Sequence, residues 1–322
     1  MIDDPRRPVR RRLRVGVAVL ATLAIGALTL TGCEDEPPDD ASLTEGLLLL
    51  SGEVGEVTLT LRDADEPGGR QIALPEAATA WVSAGRTNVL LATLIDGRTF
   101  VSNPLGEDDP SWRLVEPVTV DDVPPEPPLY FGAWDPPGGA YVQLGADFAA
   151  GGGLRVVVID PALEGATEAA LNQTRPVPAP PVWIDDDHVV VVAESADATE
   201  TVIVDTPSGG VEPGPTAVRL VTTSADAAVA AVWPGPGNPI GVLATEAWLD
   251  GQAASVLIDP PEAGWLPAVL ALDRSGGRLA VVWTDGEGSP AGATIHAGSR
   301  EWRAIASIPL DDVRAASVAW IR

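Results

Sequence analysis

Residues 270–283, LALDRSGGRLAVVW, decide the fold that we expect for this chain. An apolar run leads into a polar turn over residues 273–277, and a second apolar run ends at Trp283. Asp, Ser and Gly suit the backbone conformations of tight turns, and unbroken Leu, Val and Ala runs are typical of strands buried on both faces. This stretch therefore predicts a buried antiparallel hairpin.

Less regular copies of the same hairpin recur along the chain. Their first strands begin near residues 78, 129, 181, 217, 267 and 316, at intervals of 51, 52, 36, 50 and 49 residues. Repeats of this length with about four strands each are typical of β-propeller blades. The sequence predicts an all-β fold with a six-bladed propeller, and the short 36-residue interval leaves five or seven blades open.

The sixth copy is divided between the two ends of the domain. Residues 316–321 (ASVAWI) supply a first strand alone, and residues 47–51 (LLLLS) open the domain at a second strand. We therefore expect the two segments to pair and close the ring. Proline occurs in every link between successive units, where its missing N–H would protect an outer edge strand.

Composition sets limits on the class of protein. The chain has 322 residues, 45% of them hydrophobic, and its 33 Gly and 31 Pro indicate many short elements. Its 46 acidic residues outweigh 20 basic residues, all Arg, for a net charge of −26. An acidic surface repels phosphate backbones, so we predict no nucleic-acid partner.

Residues 162–171 (ALEGATEAAL) have the clearest helical period and predict one short helix.

The first 45 residues have the order of an export signal. Six Arg within residues 1–14 precede the uncharged apolar residues 15–30, and the sequence then reads LTGC before turning acidic. This is the arrangement of a secretory signal peptide, and the apolar run is shorter than the roughly 20 residues of a membrane-spanning helix. An uncleaved anchor is the alternative. In either case the remainder lies outside the cytoplasmic membrane.

The tetrapeptide LTGC resembles the bacterial lipobox. That resemblance implies cleavage between Gly32 and Cys33 and a lipid on the Cys33 thiol, which would hold the protein on the extracytoplasmic face of the cell membrane. We accordingly predict a signal peptide over 1–32, a lipidated acidic tether over 33–45 and a propeller domain over 46–322. Cys33 is the one cysteine of the chain, so no disulfide is expected.

The repeated units resemble those of the periplasmic TolB propeller, in which a polar turn with Asp and Gly precedes an apolar run. Residues 272–282 match that pattern best, and residues 134–142 and 183–192 match it in part. The chain is more distantly similar to the propeller portion of LpqB-type actinobacterial lipoproteins, and that resemblance implies a link to sensor kinases.

The sequence predicts no catalytic, metal or cofactor site. Zinc sites use three or four N or S ligands, whereas this chain has two histidines, His188 and His296, and no G-x-S-x-G motif is present. Acids recur at the first turn of the units, where turn chemistry explains them: Asp135, Asp185, Asp186, Asp187, Asp226 and Asp273. A weaker candidate is a calcium site at Asp63, Asp65 and Glu66.

Residues just before the first strands are our candidate ligand rim, because they would face one end of the propeller. They are Glu76, Asp121, Asp122, Glu126, Glu262, Trp265, Asp311 and Asp312. Most of the ten Trp fall near strand ends and are expected to pack between blades.

The favoured function is a monomeric, non-catalytic binding module for an envelope protein or cell-wall glycan. The alternatives are a glycan hydrolase or lyase, and a sensory subunit of a membrane kinase or transporter.

Overall fold

A computed structural model describes residues 46–62, 69–85, 88–96, 98–106, 108–115, 129–134, 141–146, 154–160, 165–171, 175–176, 180–194, 198–215, 218–298, 301–310 and 313–321. The predicted signal peptide and tether, with Gly32 and Cys33, lie outside these residues. No helix in the described ranges is long and apolar enough to cross a membrane.

The described elements are almost entirely strands. In chain order the first eleven are β1 (Leu47–Glu53), β2 (Glu56–Arg62), β3 (Arg70–Ile72), β4 (Thr79–Ala84), β5 (Leu90–Leu94), β6 (Thr99–Ser102), β7 (Trp112–Leu114), β8 (Leu129–Trp134), β9 (Tyr141–Ala146), β10 (Leu154–Asp160) and β11 (Gly165–Ala170). Then come β12 (Arg175–Pro176), β13 (Val182–Trp183), β14 (His188–Glu194), β15 (Thr199–Asp205), β16 (Gly210–Pro213), β17 (Leu220–Thr223), β18 (Val229–Trp233), β19 (Ile240–Ala244), α1 (Thr245–Leu249), β20 (Val256–Ile258), β21 (Leu266–Leu272), β22 (Arg278–Thr284), β23 (Pro290–Gly298), β24 (Trp302–Pro309) and β25 (Ala315–Trp320).

These strands form six antiparallel sheets with one recurring order. From the inner edge outward the sheets are β25-β1-β2-β3, β4-β5-β6-β7, β8-β9-β10-β11, β12-β14-β15-β16 with β13 also on β14, β17-β18-β19-β20, and β21-β22-β23-β24. Inner strands of neighbouring sheets contact one another: β25 contacts β4, and β4 contacts β8. In the same way β13 contacts β17, β17 contacts β21, and β21 contacts β25. The protein is therefore an all-β propeller, as the sequence predicted.

The chain ends close this arrangement in the way that the split repeat predicted. Strand β1 pairs on one side with β2 and on the other with β25, with Leu47 opposite Trp320 and Ser51 opposite Ala316. The first sheet therefore takes its inner strand from the C-terminus and its other three strands from the start of the domain. The predicted closure is confirmed.

The hydrophobic core lies between neighbouring sheets. Where both faces of a second strand are described, its central residues are buried: every residue of β5 is buried, as are residues 279–283 of β22. One core cluster joins Leu47 of the first sheet to Trp81 of the second and Val282 of the last. This packing explains why second strands are unbroken apolar runs in the sequence.

The hairpin at residues 270–283 has the predicted form. Strand β21 ends at Leu272, and the carboxylate of Asp273 accepts hydrogen bonds from the Arg278 backbone N–H at 3.0 Å and from the Ser275 hydroxyl at 2.9 Å. Gly276 has φ +72°, a left-handed conformation that glycine adopts without steric cost. Turn chemistry thus accounts for Asp273.

One local prediction was wrong. The described part of residues 162–171 is strand β11, because antiparallel pairing with β10 overrides the helical preference of its Ala and Glu residues. The helix in the described part of the chain is instead α1, which at five residues is too short to show a helical period. In addition, the inner edge of the fourth sheet is divided between β12 and β13, both paired with β14.

Candidate functional site

A central cavity of about 210 Å³ lies where the inner strands converge. It is lined by the C-terminal halves of β4, β17, β21 and β25, together with Ala133 of β8 and residues 180–183 around β13. The lining continues into the turns that follow the inner strands, at Ser224 and Arg274. All six sheets therefore contribute to one site.

Three tryptophans form the aromatic part of the cavity wall: Trp81, Trp183 and Trp320. The Trp320 indole N–H donates to the carbonyl of Ala271 at 2.9 Å, and that of Trp183 donates to the carbonyl of Ala133 at 3.4 Å. Both acceptors belong to the inner strand of the preceding sheet. The predicted role of these tryptophans in packing between sheets is therefore confirmed, and they also border the cavity.

Hydroxyl groups occupy other parts of the wall. Thr223 donates its hydroxyl to the Trp183 carbonyl at 2.7 Å, and the Ser224 hydroxyl donates to Asp226 at 2.6 Å. The hydroxyl oxygen of Ser83, on β4, is buried and has no hydrogen-bond partner among the described residues.

Arg274 is the one charged residue of the described lining. It follows Asp273 in the first turn of the last sheet, and its charge acts on Asp226 in the corresponding turn of the neighbouring sheet. The pKa of Asp226 is lowered, first by the Ser224 hydroxyl and then by backbone N–H groups and Arg274, which together outweigh its partial burial. No Asp, Glu or His is present among the described lining residues.

We call the turns at residues 184–187, 224–228 and 273–277 the first-turn rim, because each joins the first and second strands of its sheet. In the fourth sheet His188 follows this rim, and its Nδ1 lies 2.9 Å from the Asp185 carboxylate. Partial burial acts to lower the pKa of His188. The hydrogen bond to Asp185 and the charges of Asp205 and Asp187 outweigh that effect and raise it.

The second histidine is inside the last sheet. The His296 imidazole is buried, and its Nε2 lies 2.8 Å from the Thr294 hydroxyl, which in turn accepts from the Trp283 indole N–H at 2.7 Å. Since the indole can only donate, the Thr294 proton is available for Nε2, and the neutral imidazole carries its own proton on Nδ1. Burial lowers the pKa of His296.

Three residues of the candidate ligand rim are described, and they lie away from this cavity. Glu76 accepts a hydrogen bond from Arg98 at 2.7 Å, and the Glu262 carbonyl accepts from the backbone N–H of Trp265 at 3.2 Å. The Trp265 ring lies against Gly292 of β23. None of Glu76, Glu262 and Trp265 is among the residues that line the cavity.

Several other candidate residues fall outside the described residues: Asp63, Asp65, Glu66, Asp121, Asp122, Glu126, Asp135, Asp311 and Asp312. Among the residues that are described, no group of three or more His, Cys, Asp or Glu side chains could hold a metal ion.

Sequence reasoning missed the polar lining of the cavity. Ser83, Thr223 and Arg274 belong to three different units. Their equivalent positions become clear only when the strands of those units are superimposed. The signal in the sequence is positional, since each residue lies at or just after the C-terminal end of a first strand. The candidate rim was instead drawn from residues that precede those strands.

Antiparallel sheets that contact through their inner strands around a central cavity define the class: this is a β-propeller protein. No protein-family model matches the sequence, and no curated protein matches it.

Solved structures share the fold. TolB from Acinetobacter baumannii aligns with 87% of this chain and 67% of its own, at a TM-score of 0.58 and 11% identity. A putative TolB from Agrobacterium tumefaciens aligns with 87% of this chain and 99% of its own, at a TM-score of 0.54 and 12% identity. A chain of a nidogen/laminin complex aligns with 86% of this chain and 99% of its own, at a TM-score of 0.58 and 10% identity. The propeller is thus TolB-like in fold.

Proposed function

We propose that this protein is an extracytoplasmic lipoprotein whose propeller is a non-catalytic binding module of the cell envelope. Its partner is an envelope protein or a cell-wall glycan, bound at the first-turn rim and the mouth of the central cavity. The observation that carries the proposal is the cavity itself. Each sheet supplies part of its wall, and the described part of that wall offers aromatic rings and hydroxyls without a carboxylate or an imidazole.

The absence of acids from the described wall supports binding over hydrolysis. Glycoside hydrolysis uses two carboxyl groups about 5–10 Å apart, on either side of the scissile bond. Among the described acids, Asp185 and Asp226 lie in the first-turn rim and accept hydrogen bonds from backbone N–H groups of their own turns. Purified protein that hydrolyses a panel of envelope glycans would contradict the proposal.

We further propose that the six sheets are the six blades of one ring. The support is the chain of contacts between inner strands, which returns from β21 to β25 and from β25 to β4. Six repeats around one axis place each first turn on the same rim, so a partner at the cavity mouth could contact several blades at once.

The membrane anchor rests on the sequence LTGC at residues 30–33. Stable attachment needs at least two acyl chains, and diacylglycerol on the Cys33 thiol would supply two. Cys33→Ala should release the domain from membranes or leave an unprocessed precursor, detected by fractionation and intact mass. Mature protein that stays bound to membranes without Cys33 would refute the anchor.

Partner capture tests the binding surface. A photo-crosslinking amino acid at Asp186, exposed on the first-turn rim, should capture an envelope protein or glycan fragment from intact cells. The matched control is the same amino acid at Ala304, exposed on the outer strand β24. Equal capture at both positions, or capture at Ala304 alone, would move the partner away from the cavity mouth and contradict the proposal.

A further inference from the structure

We propose that the tether holds the propeller with its first-turn rim toward the membrane, so that the partner at the cavity mouth is the extracytoplasmic part of an integral membrane protein. This inference rests on the membrane anchor of the proposed function. It deepens that function by choosing a membrane protein over a cell-wall glycan.

The first sheet differs from the others at the first-turn rim. In the other sheets the chain turns there from the first strand into the second. In the first sheet these two strands are β25 and β1, so the two ends of the domain stand where that turn would be. Trp320 lies opposite Leu47, and the Ile321 backbone N–H donates to the Gly46 carbonyl at 2.9 Å. Because Trp320 and Ile321 line the cavity, Gly46 is at its mouth.

The length of the tether limits which end of the propeller can face the membrane. Cys33 and Gly46 are 13 residues apart in the sequence. A fully extended chain of that length spans at most about 45 Å. A flexible chain of the same length has a root-mean-square end-to-end distance of about 20 Å. The membrane attachment therefore stays close to the end of the propeller at which Gly46 lies.

The opposite end of the propeller is farther away than a flexible tether reaches. From Gly46 a path to that end first passes outward over β2 and β3, about 10 Å at the usual spacing of strands. It then follows the edge of the sheet for the seven-residue length of β1, about 24 Å. This path of about 34 Å, before side chains are counted, is well beyond the flexible span of the tether. The first-turn rim can face the membrane without such stretching.

The charge of the rim favours a protein over the lipid surface itself. The three turns that define the rim contain five Asp and one Arg. Four of these acids are exposed: Asp185, Asp186, Asp187 and Asp226. Charges act over about 8 Å at physiological ionic strength, so anionic headgroups would repel this rim at contact distance. Basic residues of a membrane protein, next to its membrane-spanning part, would complement the rim instead.

Energy transfer to a bilayer measures the orientation. The full-length lipidated protein is reconstituted in vesicles of phosphatidylethanolamine and phosphatidylglycerol that contain an acceptor-labelled lipid. A donor dye is attached at Asp186→Cys on the first-turn rim, or at Glu287→Cys in the turn that follows β22 at the opposite end of the last sheet. Both residues are exposed acids, so the two variants lose the same charge. The ends of a seven-residue strand lie about 24 Å apart, so transfer should be about twofold stronger from position 186.

A longer tether tests whether the attachment sets this orientation. Insertion of about 30 Gly and Ser residues between Glu45 and Gly46 raises the flexible span to about 36 Å and should abolish the difference in transfer. The matched control is the same insertion after Arg322, which leaves the tether unchanged and should preserve the difference. Equal transfer without any insertion, stronger transfer from position 287, or a difference that survives the longer tether would overturn the inference.

Crosslinking in intact cells tests the class of partner. The photo-crosslinking amino acid at Asp186 should capture a protein with a membrane-spanning segment, and the crosslinked peptide should be basic and lie on the extracytoplasmic side. Capture of cell-wall glycan, of lipid or of an envelope protein without a membrane-spanning segment would overturn the inference. The first and third of these results would leave the binding module of the proposed function in place.

The anchor and the orientation can fail separately. If the protein does not associate with vesicles, the proposed anchor is wrong and the orientation is wrong with it. If the protein associates through Cys33 and transfer from the two positions is equal, the anchor stands and the orientation alone is wrong. Intact mass and the Cys33→Ala variant distinguish these cases.

Discussion

Leu49 on β1 lies directly opposite Val318 on β25, and both side chains are buried in the same core cluster. One residue is in the first strand of the domain and the other is in the last. Their contact closes the first sheet. The stability of the whole propeller should depend on it, because β25 has no other strand partner in that sheet.

Leu49→Ala should lower the free energy of unfolding by about 2–5 kcal/mol, because it removes a buried side chain and leaves a cavity. A double-mutant cycle with Val318→Ala should give a coupling energy of about 0.5–3 kcal/mol, measured by urea denaturation. The control is Val54→Ala, in the exposed β1–β2 turn, with an expected change within about 0.5 kcal/mol. Additive effects of the two core substitutions would show that the ends are not coupled.

Thr294→Val tests the buried polar chain inside the last sheet. The substitution keeps the shape of the side chain but leaves the Trp283 N–H without its acceptor and the His296 Nε2 without its donor. We expect a loss of about 1–3 kcal/mol for each unsatisfied group, measured by urea denaturation. Thr58→Val is the control, because the Thr58 hydroxyl bonds to Ser51 on an exposed surface. Equal effects of the two substitutions would contradict the assigned network.

The two histidines should titrate on opposite sides of the ordinary value of about 6.5. Proton NMR should show His188 with a raised pKa, because the carboxylates of Asp185, Asp205 and Asp187 outweigh its partial burial, and His296 with a lowered pKa, because it is buried. His188→Gln removes one of only two imidazole signals and so assigns both. Two curves near 6.5 would contradict both environments.

The sign of each contribution to stability follows from these directions. Charged His188 stabilises the fold below the unfolded pKa, and this contribution is lost as the pH rises through the raised folded value. His296 behaves in the opposite sense, since its contribution is present above the unfolded pKa and is lost as the pH falls toward the lowered folded value. Denaturation of His188→Gln as a function of pH should therefore lack the loss on the alkaline side.

Gly276→Ala tests how closely adjacent sheets approach at the first turn. A Cβ at Gly276 would lie 2.7 Å from a Val229 methyl of the neighbouring sheet, and the residue has φ +72°. The left-handed backbone alone costs about 1–2 kcal/mol with a side chain. Gly288→Ala is the matched control, because Gly288 has φ +86° and open space around it.

Gly276→Ala should therefore destabilise the protein more than Gly288→Ala does, as measured by thermal and urea denaturation. Val229→Ala in the Gly276→Ala background should recover part of the difference, because it removes the methyl group that the new Cβ meets. Equal losses at the two glycines would mean that the sheets do not pack tightly at this turn.

Much of the fold was predictable because its signals are local. The turn at residues 273–277 is specified by Asp273, which accepts a hydrogen bond from the Arg278 backbone N–H, and by Gly276, which has a left-handed backbone. The second strand of this hairpin is apolar because it is buried on both faces. Strand β11 shows the limit of this reasoning. Its residues favour a helix locally, and only pairing with β10 makes them a strand.

The sequence by itself determined that hairpins repeat, that the repeats make an all-β propeller, and that residues 47–51 and 316–321 are the two parts of one sheet. These features depend on near neighbours along the chain and on the two halves of a repeat found at its ends. The tertiary structure alone decided the cavity, because Ser83, Thr223 and Arg274 come from different sheets and meet only around the axis. The inner strands of the six sheets converge and bring these three side chains to one cavity. No pattern of polar residues within a single unit predicts where they meet.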